Sequence, residues 1–411
     1  MNICYHYYTI KALAVKGGFN ENDAQRIAHY SQLTDDFVLS NTLLIHKKPP
    51  AFFTDNGLAK ELIGDIWALQ PCSTGINIVK SVSHNYQKHT LTPFHFITPK
   101  TVKEIEASAD FKRTDYRCIK SVNDCNLLVN SLMNETIEQI KTEKNQKNLM
   151  NLGLMVHTFA DTFAHCNFSG FHGYENESVI KKAVNKTTGK SGISNAEILF
   201  YKILPSIGHG NVGSVPDICC YDISYTMKSS ENSGLDYLVQ RDNTESFAVC
   251  SRKLLDIFCE INGKPLFNDE EFNTLQSALM KAQYVEKEKN DYYAQNFKKV
   301  FPDIIFNYDK NEYMSIDLTV EKNYDLVFEN SAMNLPDETL HDAFSAEAND
   351  IRELCKVHLK NVTEDFFDFN ELAYKRVLAV TEEYRATGTS EIFNDICVNY
   401  INQYTMERHN G

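Results

Sequence analysis

Several things are scarce or missing in this 411-residue chain, and each absence narrows what it can be. No window of about 18 apolar residues occurs, so no membrane-spanning helix is expected. The start, MNICYHYYTIKALAV, has neither a basic opening nor an unbroken apolar run, so no classical signal peptide is expected. That leaves a cytoplasmic protein or one exported by a dedicated secretion system. Glycine (17) and proline (10) are sparse, which argues against a β-sandwich and against a disordered chain. The 11 cysteines show no repeated spacing and no CxxC pair, which fits reduced thiols and not a disulfide framework. GxxxxGK[ST], GxSxG, CxxCH and HExxH are all absent, which removes the commonest phosphate-loop, serine-hydrolase, haem and zinc-peptidase signatures. Positive charge is in deficit as well. A formal net charge of −14 repels polyanions, so no stable nucleic-acid partner is expected. Bound cations can reverse that field locally, so phosphodiester chemistry stays open.

What is present is helical periodicity and an uneven placement of histidine. Helices are predicted over Tyr5–Val15, ended by Gly17-Gly18, then after Asn20 with Ala24, Ile27, Ala28 and Leu33 on one face. Pro49–Pro99 reads as loop-rich. Helical patterns return at Val122–Glu143, Leu149–Phe168, Asn195–Leu204, Asn243–Ile261 and Asp269–Phe297. Gly173–Asn195 is polar and reads as an exposed loop. Alternation of Met314, Ile316, Leu318 and Val320 with polar residues predicts a strand within Tyr313–Phe328, and Asp337–Tyr404 reads as helical again. The fold class expected is therefore mainly α, with a smaller C-terminal region holding some strand. A boundary near residue 300 would separate a helical domain, 1–300, from an accessory region, 301–411. Ten of the 13 histidines lie at or before position 209, so the chemistry is expected in the first part.

The segment VHTFADTFAHCNF carries the strongest signal. His157, Asp161 and His165 are spaced by four and four, which places them along one face of a helix. The surrounding residues are apolar on nearly every side, which predicts a buried helix. Burying two imidazoles and a carboxylate is costly unless they are paired or bind a cation, and these groups suit Zn²⁺. A metal-free His–Asp network is the alternative. Four further places offer ligands. His6 lies in the first helix among Tyr5, Tyr7 and Tyr8. Asp35 and Asp36 end the second helix, where adjacent carboxylates point about 100° apart so that only one is expected to face a site. His95 sits between Phe94 and Phe96. His209 and Asp217 flank a loop rich in glycine, whose alternative reading is a tight connection with a capping Asp.

The stretch His157–Phe168, HTFADTFAHCNF, resembles the helix motif of the bacterial zinc-dependent phospholipase C family, itself related to P1-type nucleases. With the His6 helix, the Asp35-Asp36 segment and the His209–Asp217 loop, the resemblance spans roughly residues 1–220. It implies a multi-helical phospholipase C/P1 nuclease-like core with two or three zinc ions held by His and Asp from several helices. His157, Asp161 and His165 match that motif directly, and His6, Asp36 and His209 match by position and type. The chain departs from the secreted trinuclear enzymes in having no processed N-terminal Trp to bind metal through its amine, and in a shorter acid-to-His step. The implied reaction is hydrolysis of a glycerophospholipid phosphodiester at a membrane surface. The ligands would be His6, Asp36, His95, His157, Asp161, His165, His209 and Asp217. Asp35 or Asp36 would take the proton of the attacking water, and Phe94, Phe96, Phe168 and Phe171 would receive acyl chains or headgroup unless they are ordinary core. A nuclease or other phosphoesterase on the same metals, and a helical binding protein with a structural metal, are the rival readings.

Overall fold

The computed structural model describes residues 1–39, 43–45, 47–63, 66–78, 80–285, 289–314 and 362–383. Its residues fall into two compact units, 1–36 with 74–309 and 376–384, and 37–73 with 310–375 and 385–411. The protein is mainly α-helical with small antiparallel sheets.

The first unit is a set of helices around one apolar core. The chain enters as a π-wound segment, Cys4–Thr9, that continues as the α-helix Ile10–Lys16. Gly18, at φ +103°, turns the chain out of it. The next helix, Glu21–Asp36, opens with the Asn20 side chain accepting from the Asp23 amide and buries Ala24, Ile27, Ala28 and Leu33. It lies against Gln146–Ala164, in which every residue from Leu149 on is buried except Asn151. Gly153 is the reason these two helices come so close. A Cβ there would stand 2.7 Å from the Ile27 carbonyl oxygen and 2.8 Å from the Tyr30 Cβ. Leu127–Thr142, Asn243–Ile261, Asp269–Gln283 and Asn290–Val300 complete the bundle. Their apolar faces meet around Met155, Phe159, Phe163, Leu254 and Phe258, where truncating one Phe to Ala would cost about 3–5 kcal/mol.

A four-stranded antiparallel sheet of the same unit runs in the order Lys190–Ser191, Ser178–Asn185, Tyr221–Met227, Tyr237–Asp242. Its inner face, with Ile180, Ala183, Ile223 and Tyr225, packs on Phe96, Phe168, Val212 and Val215. The site is built over this second core.

Several expectations are corrected here. Residues 173–195 contain the central strand Ser178–Asn185 instead of an exposed loop. Asp269–Phe297 is two helices, broken after Gln283. Val122–Glu143 is helical only from Leu127. No single cut near residue 300 divides the chain, because 37–73 group with residues beyond 309. Met314 lies in a turn, and the rest of the expected strand, 315–328, lies outside the described residues, as do 337–361 and 384–404 of the expected helical region.

In the second unit, Leu43–Ile45 and Ala59–Ile63 flank Ile66–Leu69 in an antiparallel sheet. Phe37 packs on Phe369, ring centroids 5.0 Å apart, and the Asn370 side chain accepts from the Cys72 amide at 2.7 Å. Asn370 belongs to the helix Glu364–Thr381. Among the described residues, no helix is long and apolar enough to cross a membrane.

Candidate metal centre

All the polar residues singled out above except Asp36 converge in the first unit. His6 projects from the π-wound segment, and such local unwinding is frequent at functional sites. Asp35 comes from the last turn of Glu21–Asp36, and His95 caps the short helix Thr92–Phe94. His157 and Asp161 lie on one face of Gln146–Ala164, and His165 is that helix's C-cap, its amide still donating to the Asp161 carbonyl. His209 and Asp217 sit on two short 3₁₀ turns of one loop.

Asp161 is the hub. Its Oδ1 faces His6 Nε2 at 3.0 Å, and its Oδ2 faces His95 Nδ1 at 3.1 Å and His157 Nε2 at 3.3 Å. Asp217 holds the outer end, with Oδ1 at 3.0 Å from His165 Nε2 and Oδ2 at 3.2 Å from His209 Nε2. Asp35 stands 3.7–3.9 Å from His95, His157 and His6. Three groups bring their donor atoms within 4.8 Å of one another and could hold a metal: His6, Asp35 and His157; His95, His157 and Asp161; His165, His209 and Asp217. Donors on one tetrahedral zinc ion are expected about 3.3 Å apart, given bonds of about 2.0–2.1 Å.

The outward-turned nitrogens decide how these contacts must be read. His157 Nδ1 donates to the Ser31 carbonyl at 2.7 Å, and His165 Nδ1 to the His95 carbonyl at 2.6 Å. His209 Nδ1 donates to the Gly213 carbonyl at 2.8 Å, and His95 Nε2 to the Thr74 carbonyl at 2.7 Å. A carbonyl only accepts, so each of these nitrogens carries the ring proton. In a neutral imidazole the other nitrogen then presents a lone pair. Four such lone pairs face carboxylate oxygens, and those of His157 and His95 face each other at 3.2 Å. Acceptors set against acceptors require a cation between them, whether a proton or a metal. Imidazoles that ligate a metal are usually tethered in this way, their other ring nitrogen donating to a carbonyl or carboxylate. The His6 Nδ1 atom is buried with no hydrogen-bond partner.

The electrostatics agree. Burial, the neighbouring His157 and the Met1 amine hold His6 well below its ordinary value. Burial brings His157 down to about 4 and lowers His209 as well. Burial pulls His95 down too, but Asp161 and Asp35 outweigh it and raise it. Burial alone would raise Asp161, yet His165, the Met1 amine, His157 and His6 keep it well below the carboxylate range. Burial, with Asp161 and Asp36, pushes Asp35 up to about 8 against the pull of His95. With no cation bound, the raised proton affinities of Asp35, His95 and the Met1 amine offset the crowded carboxylates.

The amine of Met1 is a group that the sequence reading does not single out. It is buried against Asp161 Oδ1 and 3.5 Å from Asp217 Oδ1, and the surrounding carboxylates overcome burial and raise it to about 10. Nothing in the residue pattern signals it. Arg241 was missed too. Its guanidinium donates to the Phe163, Ala164 and Pro216 carbonyls and to Asn243 Oδ1, and Asn243 donates to the Val215 and Ile218 carbonyls. This pair fastens the end of the helix that carries His165 to the loop that carries Asp217.

Two expectations fail. Asp36 turns away from the three groups, accepting from Tyr308 Oη and from Gln32 Nε2, as the 100° step between adjacent helical residues requires. Phe94, Phe96, Phe168 and Phe171 are all buried, so none offers a surface to an acyl chain. Phe96 instead stacks on His165, centroids 4.6 Å apart, and Phe168 meets His209 edge-on. Phe171 packs on Tyr116. Solvent reaches the cluster at Asp35, Asp217 and His209, whose side chains are 23%, 16% and 15% exposed.

The chain belongs to the family described as a family of unknown function (DUF6765), which matches residues 1–384. Neither a curated protein nor a solved structure matches it.

Proposed function

We propose that this family member is a metal-dependent phosphodiester hydrolase with zinc at its centre, two or three ions, and a glycerophospholipid as substrate. The observation that carries the reading is the set of four imidazoles tethered to backbone carbonyls, whose free nitrogens all meet at Asp161 and Asp217. The ligands on this reading are His6, Asp35, His95, His157, Asp161, His165, His209 and Asp217, with the Met1 amine beside the last.

Divalent cations there would supply Lewis-acid stabilisation of the charge on phosphate and on the leaving alkoxide. The chain's own residues do the rest. Asp35, partly open to solvent and 3.7–3.9 Å from three of the imidazoles, is placed to take the proton of attacking water. His209 and Asp217 form the side from which a phosphate can enter. Phe96 and Phe168 hold two imidazoles in orientation and keep water from their far faces. A structural metal site is closed by four protein ligands, and the solvent access at Asp35, Asp217 and His209 favours a catalytic one.

The lipid substrate, and a core of the phospholipase C/P1 nuclease kind, rest on the resemblance of HTFADTFAHCNF to that family's helix. Zinc-loaded protein should release diacylglycerol and phosphorylated headgroup from phosphatidylcholine vesicles, and elemental analysis should give at least two zinc ions per chain. Hydrolysis of single-stranded DNA with lipid untouched would move the reading to a nuclease. Saturated metal with no hydrolysis of any phosphodiester would leave a structural site.

A further inference from the structure

Helix Asn195–Tyr201 is unusual in burying none of its residues. It is nonetheless firmly held. Ser194 and Glu197 form a capping box, and Asn211 Nδ2 donates to the Tyr201 and Leu204 carbonyls at 2.9 and 3.0 Å. Its outward side chains are apolar: Leu199, Phe200 and the following Ile203 are 68%, 54% and 77% exposed. A second segment, after Thr74, does the same with Ile76, Ile78 and Val82, at 42%, 79% and 63%. Of the fifteen large hydrophobics exposed among the described residues, six fall in these two short stretches, which is clustering and not scatter.

Both stretches are tied to the metal centre. Asn211 is two residues from His209, and the Tyr201 ring packs on Gly213, whose carbonyl orients His209. Thr74, whose carbonyl orients His95, is two residues before Ile76. The two also lean on one small core. Tyr86 Oη holds the Asn77 amide at 2.9 Å and belongs to the cluster that Ile198 and Tyr201 flank.

Charge names the occupant. The chain carries −14 overall, yet from Val179 to Ile207 it has five lysines and one glutamate, and from Thr74 to His89 two lysines and no carboxylate. Lys182 and Lys186 are in ion pairs, with Asp222 and Asp242, and Lys88 with Glu383. Lys181, Lys190 and Lys202 have no carboxylate partner among the described residues. Exposed aliphatic and aromatic side chains in lysine-rich stretches, on an otherwise acidic protein, match a lipid interface bearing anionic headgroups.

We infer that Ile76, Ile78 and Val82, with Asn195–Ile203, are a membrane-docking surface that sets the metal centre against an anionic lipid layer. The inference rests on the hydrolase reading for its purpose and not for its test. Full-length protein should float with vesicles of phosphatidylcholine and phosphatidylserine, less with phosphatidylcholine alone, and less as salt rises. Leu199→Ser with Phe200→Ser and Ile203→Ser should weaken vesicle binding by about tenfold or more. Ile78→Ser with Val82→Ser should weaken it too, and Lys190→Glu with Lys202→Glu should abolish the preference for phosphatidylserine. Zinc content and hydrolysis of soluble p-nitrophenyl phosphorylcholine should stay as in the parent. Vesicle binding that is absent in the parent, or unchanged in the triple variant, overturns the surface. So does self-association of the parent that the triple variant abolishes without any vesicle binding, which would assign the face to a second copy. Vesicle binding that depends on the patch, in a protein hydrolysing no phosphodiester, leaves the surface standing and removes the hydrolase reading instead.

Discussion

The two ends of the histidine–aspartate cluster are built by different means. The inner end, His6, His95, His157 and Asp161, comes mostly from helices and is buried, with Asp35 at its partly open edge. Its geometry follows from close packing, above all where Gly153 lets the Ser31 carbonyl reach His157. The outer end, His165, His209 and Asp217, comes from a helix cap and two turns, and it is partly open. There the Arg241–Asn243 pair replaces helix packing, joining the backbone beside His165 to the backbone beside Asp217. A rigid inner end and a tethered outer end suit a site in which one side must hold ions and the other must admit substrate.

The largest effect is expected from His157→Ala. His157 belongs to two of the three candidate groups, so its loss should strip the inner end and bring activity down by about 10³-fold or more. Elemental analysis beside a rate measurement checks this. His209→Ala should remove only the outer ion, and a variant that instead lost all metal would break the distinction between the ends.

Arg241→Met comes next. It leaves the Ala164 and Pro216 carbonyls without a side-chain donor and the Phe163 carbonyl with Ser246 Oγ alone, and the cost is expected to be about 3 kcal/mol, read by denaturant titration. At a denaturant-free temperature where the variant is folded, zinc should be lost from the outer end first. Cobalt substitution would show it as a change in the visible spectrum confined to one of the ions. Equal loss at both ends would mean that the clamp serves the fold as a whole.

Much of the inner end was legible in the sequence, and little of what supports the outer end was. The helix around His157 is apolar on nearly all sides, so its burial and its polar stripe could be read from spacing alone. The strand Ser178–Asn185 could not, because Lys181 and Lys182 interrupt the alternation. The pairing with Tyr221–Met227 explains them: the register slips between Ile180 and Lys182, a bulge that sends two successive residues to the exposed face. Arg241 and Asn243 act on backbone carbonyls of distant segments, and no side-chain pattern records which carbonyl a side chain will meet. The Met1 amine is a backbone group and leaves no residue signature either. The choice between Asp35 and Asp36 was narrowed to one by helix geometry, but which one faced the site depended on Tyr308.

The third effect concerns pH. Asp35 holds its proton up to about 8 when no cation is bound, chiefly through burial. A metal must displace that proton, so Asp35 contributes a fall in inner-end affinity of about tenfold for each pH unit below 8, a contribution that levels off above it. Calorimetric titration in buffers of different ionisation enthalpy should detect proton release on zinc binding. Asp35→Asn should flatten the slope and weaken zinc at the inner end. A slope that survives unchanged would mean that another group carries the proton.

Asp36→Asn should give the smallest change, and its sign is fixed. The side chain points to Tyr308 and Gln32, and an amide oxygen can still accept from both, so the helix end should keep its shape and activity should change by no more than about threefold. Its charge is nonetheless felt next door, since Asp36 is one of the groups that raise Asp35. Removing that charge makes ionised Asp35 easier to form. The pH at which zinc affinity levels off should therefore move down, by less than a unit, while the outer end is untouched. A shift upward, or a loss of metal as large as that of Asp35→Asn, would return Asp36 to the ligand set and undo the assignment of Asp35.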